Sequence, residues 1–138
     1  MLFVHLPGVD NAGHKYGWSS PEQMKALEVA DESVADILVA LADVGLRQKT
    51  VVLITADHGG AGKTHLADDA RARHIPWIIT GPGIRPGVDL TAYPKTVVDT
   101  EDTFATASYL LGLPISPEID GKPLLEVVDK PVELMRSE

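Results

Sequence analysis

Cysteine is absent from all 138 residues, which excludes disulfides and thiolate metal ligands and leaves His, Asp and Glu as the side chains for any metal chemistry. Missing too is an apolar run long enough to cross a bilayer. The opening Met-Leu-Phe-Val-His-Leu is too short for a signal-peptide core and has no basic segment before it. Neither a membrane span nor a secretion signal is expected, and the cellular compartment stays undetermined. Positive charge is scarce: 12 basic residues against 20 acidic ones give a net charge of −8. Such a chain has no broad electrostatic grip on nucleic acid, so a phosphate-bearing substrate would have to be met by local cations. What is present is ordinary for a globular protein, with 44% hydrophobic and 23% charged residues. The length fits one domain over residues 1–138, with a weakly ordered tail expected over 124–138.

Hydrophobic patterning predicts alternating strands and helices. Residues 2–6 form an apolar run closed by Pro7 and Gly8, the pattern of a buried strand entering a loop. Ser20, Pro21 and Gln23 suit an N-cap, a first helical position and a capping-box partner, followed by apolar residues at Leu27, Ala30, Val34, Ile37, Leu38 and Leu41. That helix should stop near Val44 and Gly45. Thr50–Thr55 reads as a β-branched strand, Ile75–Thr80 as another closed by Gly81-Pro82-Gly83, Val97-Val98 as a brief strand, and Thr103–Leu111 as a helix. The order implies an α/β fold, a mostly parallel sheet flanked by helices, whose ligands bind beyond the carboxyl ends of the strands.

Chemistry-bearing residues gather at those ends. Asp10 and His14 fall in the loop expected after the first strand, Asp57 and His58 in the loop after a later one, and His65 follows in the same second loop. Carboxylates supply charge and imidazoles supply borderline nitrogen ligands, so the set suits zinc or manganese, as one ion or as two that grip opposite sides of a phosphoryl group. Each pair has a bland reading when taken alone: an Asx turn for Asp10-Asn-Ala-Gly-His14, a strand-ending turn for Asp57-His58-Gly59-Gly60. Their coincidence favours a site. His74 competes with His65 for the fifth position but adjoins the start of the next strand, the wrong end; His5 lies within the first strand and reads as a core or supporting residue. Lys63 either contacts a substrate phosphate or is solvated. Gly62-Lys63-Thr64 imitates the end of a phosphate-binding P-loop, but Asp57 stands where that motif needs glycine, and its carboxylate would repel phosphate.

Taken together, Asp10-Asn-Ala-Gly-His14, Thr55-Ala-Asp57-His58-Gly59-Gly60, His65 and Ile75-Pro-Trp-Ile-Ile-Thr-Gly-Pro-Gly83 resemble the C-terminal portion of the nucleotide pyrophosphatase/phosphodiesterase branch of the alkaline phosphatase superfamily, through about Pro123. The resemblance implies a partial alkaline phosphatase-like core in which Asp10, His14 and His65 bind one metal and Asp57 and His58 help bind another. It also supports His65 over His74. The family's Thr or Ser nucleophile normally precedes this region and has no counterpart in these residues, so the nucleophile is unassigned: either these residues are the C-terminal portion of a longer enzyme, or they work differently, with attack by metal-bound water as one route. The expected function is metal-dependent hydrolysis of small phosphate esters, with zinc favoured over manganese. Rival expectations are a sulfatase- or phosphomutase-related domain, or a non-catalytic metal-binding fragment that self-associates to cover an exposed sheet. A homo-oligomer is expected on that last ground.

Overall fold

A computed structural model describes residues 1–93 and 96–129. Its main elements are helix α1 (Gly8–Tyr16), helix α2 (Pro21–Asp43), strand β1 (Val52–Thr55), the single-turn helix α3 (Ala70–Arg73), strand β2 (Trp77–Thr80) and helix α4 (Thr100–Leu110), with three short 3₁₀ turns. Two compact units are present among the described residues: 1–50 with 54–78, and 51–53 with 79–93 and 96–129.

In the first unit α2 is set by its entry. The Ser20 side chain accepts from the Gln23 N–H at 3.2 Å, Pro21 begins the helix, and the Gln23 side chain accepts from the Ser19 N–H at 2.6 Å. The reciprocal cap therefore closes one residue earlier than expected, with Ser19 at φ 65° to make the reach. At the far end Gly45, at φ 68°, takes the left-handed conformation that stops the helix where the sequence placed its end.

Asp10 and His14 do not lie in a loop but one turn apart on α1. Asp10 in the first turn and His14 and Lys15 in the last complement the helix dipole, and Gly17, at φ 112°, ends the helix by donating to Gly13 at 2.8 Å. An i, i+4 spacing puts both side chains on one face, so the helix presents them as a pair more rigidly than a turn would. α1 packs on α2.

The mostly parallel sheet is corrected as well. Residues 2–6 take no regular structure and leave Leu2 and Phe3 exposed, Val97 and Val98 form no strand, and the described residues hold a two-stranded sheet of β1 beside β2. The strands are antiparallel: the Thr55 hydroxyl, at the end of β1, donates at 3.1 Å to the carbonyl of Pro76, just before β2. A parallel return needs a crossover that carries the chain back along the sheet, and the one-turn α3 is too short to be one.

The second unit is organised around α4. Asp99 and Asp102 form a capping box; Asp102, 2% exposed, accepts from the N–H of Asp99 at 3.0 Å and of Lys122 at 2.8 Å. Thr106, wholly buried, accepts from Leu124 N–H at 3.0 Å, and Ala105, Leu124, Val127 and Val128 fill the apolar interior. In the segment expected to form a weakly ordered tail, Leu124, Val127 and Val128 are buried and Leu125 is exposed, while 130–138 lie outside the described residues. Asp102→Ala leaves two backbone donors without partners, so urea unfolding of the chain should register a loss of about 2–6 kcal/mol, at about 1–3 kcal/mol per buried orphan. A loss under half a kilocalorie would show that water replaces the carboxylate.

Candidate metal centre

All five expected donors lie in the first unit. Asp10, His14 and His65 each offer a ligand atom within 4.8 Å of the others. His58 stacks on His65, with ring centroids 3.8 Å apart and planes 16° from parallel, and its Nε2 stands 3.8 Å from Asp10 Oδ1. Asp57 lies at the rim: its side chain is 86% exposed, one oxygen accepts from its neighbour's backbone N–H at 3.1 Å, and the other is 3.6 Å from His58 Nε2. The structure therefore brings Asp10, His14 and His65 together as a compact triad, with His58 against it and Asp57 beyond.

The backbone decides which imidazole nitrogens are free. His14 Nδ1 sits 3.1 Å from the Lys63 carbonyl and His58 Nδ1 sits 2.9 Å from the Gly59 carbonyl. A carbonyl only accepts, so each Nδ1 carries the proton and, in the neutral ring, each Nε2 presents a lone pair. The His14 Nε2 lies 3.4 Å from Asp10 Oδ1, a buried oxygen with no hydrogen-bond partner although the carboxyl group as a whole is 43% exposed. In the neutral ring, two electron-rich atoms thus face one another. A tetrahedral ion with bonds of about 2.0–2.1 Å spaces its ligands about 3.3 Å apart, close to the 3.4 Å found here. The donor chemistry and the spacing of this pair fit a divalent cation.

Close backbone approach holds the second loop in place. A Cβ on Gly59 would collide with the carbonyl oxygens of Arg71 and His74, and the Gly59 N–H donates to Ala72 at 2.7 Å, so the one-turn α3 backs the loop that presents His58. Asp69 starts α3, accepting from the Arg71 N–H at 2.9 Å and pairing with its guanidinium at 2.8 Å. The guanidinium bond first, and then the backbone N–H, pull the Asp69 carboxyl down to about 2. With a folded value below the ordinary 3.8, this tie is fully present above that ordinary value and is lost as pH falls through the folded one. Protection of the Gly59 amide in the metal-free chain, taken relative to its intrinsic exchange rate at each pH, should fall between about pH 4 and pH 2, and in Asp69→Asn it should already be low at about pH 5. Exchange that is equally slow in both would sink this account of α3.

Lys63 donates to the Lys15 carbonyl at 2.8 Å, tying the loop to the last turn of α1. His74 closes α3, its N–H on Ala70 at 3.1 Å, and His5 lies in the exposed N-terminal stretch. Sequence reasoning missed Trp18, which lies beside three of these rings, and the Gly13 and Gly60 that give it room. The signal was there in Gly13 next to His14 and in the Gly59-Gly60 pair that follows His58.

Residues 1–81 match the family model for type I phosphodiesterase/nucleotide pyrophosphatase. Arylsulfatase K of Xenopus laevis is 33% identical over 104 residues, covering 72% of this chain and 19% of that protein. The Bos taurus arylsulfatase K is 31% identical over 100 residues, 69% of this chain and 18% of its own length. GPI ethanolamine phosphate transferase 1 of Emericella nidulans aligns over 151 positions at 28% identity, covering 94% of this chain and 16% of the transferase. The chain spans less than a fifth of the length of these relatives. No solved structure matches it.

Proposed function

Because this chain belongs to the type I phosphodiesterase/nucleotide pyrophosphatase family, within the alkaline phosphatase superfamily, we propose that it supplies the metal-binding part of a hydrolase of small phosphate esters. The observation that carries this is the buried, unpartnered Asp10 oxygen facing the Nε2 lone pair of His14, with His65 completing the triad. Asp10, His14 and His65 hold one divalent cation, zinc before manganese because two of three donors are imidazoles. His58 and Asp57 contribute to the same ion or to a second. A cation held there supplies Lewis acidity and lowers the pKa of water. The chain's own residues fix the donors: Lys63 and Gly59 orient the two imidazoles through their carbonyls. Among the described residues no helix is long and apolar enough to cross a membrane.

A second reading, sulfate-ester hydrolysis, is favoured by the arylsulfatase relatives. Self-association is a third, motivated by the exposed Met1, Leu2 and Phe3, at 98%, 81% and 84%; a monomeric mass by solution scattering would end it. The deciding experiment is elemental analysis of the purified chain, followed by hydrolysis of nitrophenyl phosphate, bis-nitrophenyl phosphate and nitrocatechol sulfate with and without zinc. Bound zinc with chelator-sensitive release from a phosphate ester is expected. Turnover of the sulfate alone favours the second reading, metal without turnover reduces the function to binding, and a chain that takes up no metal refutes the site.

A further inference from the structure

Asp10 and His14 arrive on α1, whereas His58 and His65 arrive on the loop after β1. Trp18 touches both. Its backbone N–H donates to the Gly62 carbonyl at 2.7 Å, and its indole lies against Gly13 of α1, where an added Cβ would come within 2.9 Å of the ring, and against Gly60 of the loop, where a Cβ would overlap ring atoms outright. The same indole meets His14 edge-on at 5.1 Å between centroids, His65 at 6.2 Å and His58 at 6.4 Å.

We propose that Trp18 is the positioning residue of the metal centre, a half-buried wedge that locks α1 to the second loop and holds three imidazoles in ligating geometry. The proposal rests on the metal-site reading given above. Indole is the one large side chain between two glycines, so its removal leaves a void that neither Gly13 nor Gly60 can fill. The rings it braces are then free to turn, and ligands that were arranged in advance must be ordered at the moment of binding. Trp18 carries no metal-ligating atom; its effect passes entirely through His14, His58 and His65. Supporting contacts of this kind are worth about 10–100-fold in metal affinity.

The test is titration of the metal-free whole chain with Co²⁺, followed by visible absorption, for wild type, Trp18→Phe and Trp18→Leu, with helicity checked by far-ultraviolet circular dichroism. Trp18→Leu is expected to bind Co²⁺ about 10–100-fold more weakly and to lose the intense bands of a four-coordinate ion while keeping its helicity. Trp18→Phe, which retains an aromatic ring larger than leucine, is expected to restore those bands and most of the affinity. Should Trp18→Leu lose its helicity, Trp18→Met is judged by the same criterion. Wild-type affinity and bands in the folded aliphatic variant would overturn the role of Trp18 while leaving the metal site intact. Failure of the wild-type chain to bind Co²⁺ would overturn the metal reading and this proposal together.

Discussion

Asp10→Asn should abolish zinc uptake while leaving the metal-free chain at least as stable as before. In the metal-free chain the Asp10 oxygen is an acceptor without a donor, facing the acceptor nitrogens of His14 and His58. An amide N–H in its place turns that mismatch into a hydrogen bond, so the apo midpoint should hold or rise, since satisfying a buried orphan recovers part of about 1–3 kcal/mol. Zinc reverses the order. A ligand present at a hundred times its dissociation constant stabilises the state it binds by about 2.7 kcal/mol, on the order of 10 °C in midpoint for a domain of this size. Wild type should show that shift and Asp10→Asn should show none. Differential scanning fluorimetry with and without zinc measures both arms; an equal zinc-induced rise in the variant would remove Asp10 from the ligand set.

Gly60→Ala carries the second large effect, from a single methyl group. The new carbon would fall among the atoms of the Trp18 indole, and packed interiors answer such insertions with shifts costing about 1–3 kcal/mol. Backbone freedom offers no excuse, because Gly60 does not have a positive φ; on entropy alone alanine would stabilise by about 0.4–1 kcal/mol. The two arguments predict opposite signs, and the collision wins because the neighbour is a braced ring rather than the end of a flexible chain. Urea unfolding of the variant should show the loss, and zinc affinity should fall with it as the loop bearing His58 and His65 moves. A more stable variant with unchanged zinc binding would mean that the indole yields without disturbing the site.

How far the site could be read beforehand depended on which link each residue belonged to. Ser20, Pro21 and Gly45 mark the ends of α2 because capping and turn chemistry are local, decided by a few neighbours whatever the rest of the chain does. The pairing of Asp10 with His14, and of Asp57 with His58, was legible for the same reason: few residues separate the members of each pair. The state of the backbone beneath them was not. Asp-Asn-Ala-Gly-His has turn-forming residues throughout, yet it is helical, because packing against α2 outweighs weak local preference. The apolar run at residues 2–6 misled in the other direction, since an apolar run becomes a strand only where another strand accepts its backbone hydrogen bonds.

By itself the sequence determined the donor chemistry: no thiols, imidazoles and carboxylates in two short motifs, and a family resemblance that those motifs carry. Tertiary structure alone decided that His65 comes within ligating reach of Asp10 and His14, that Lys63 serves the helix end through its ammonium and His14 through its carbonyl, and that Trp18 braces three of the rings. The physical reason is that ligand identity is a property of side chains, whereas ligand geometry depends on which distant backbones meet. Here they meet where Gly13 and Gly60 let an indole come closer than any Cβ would allow.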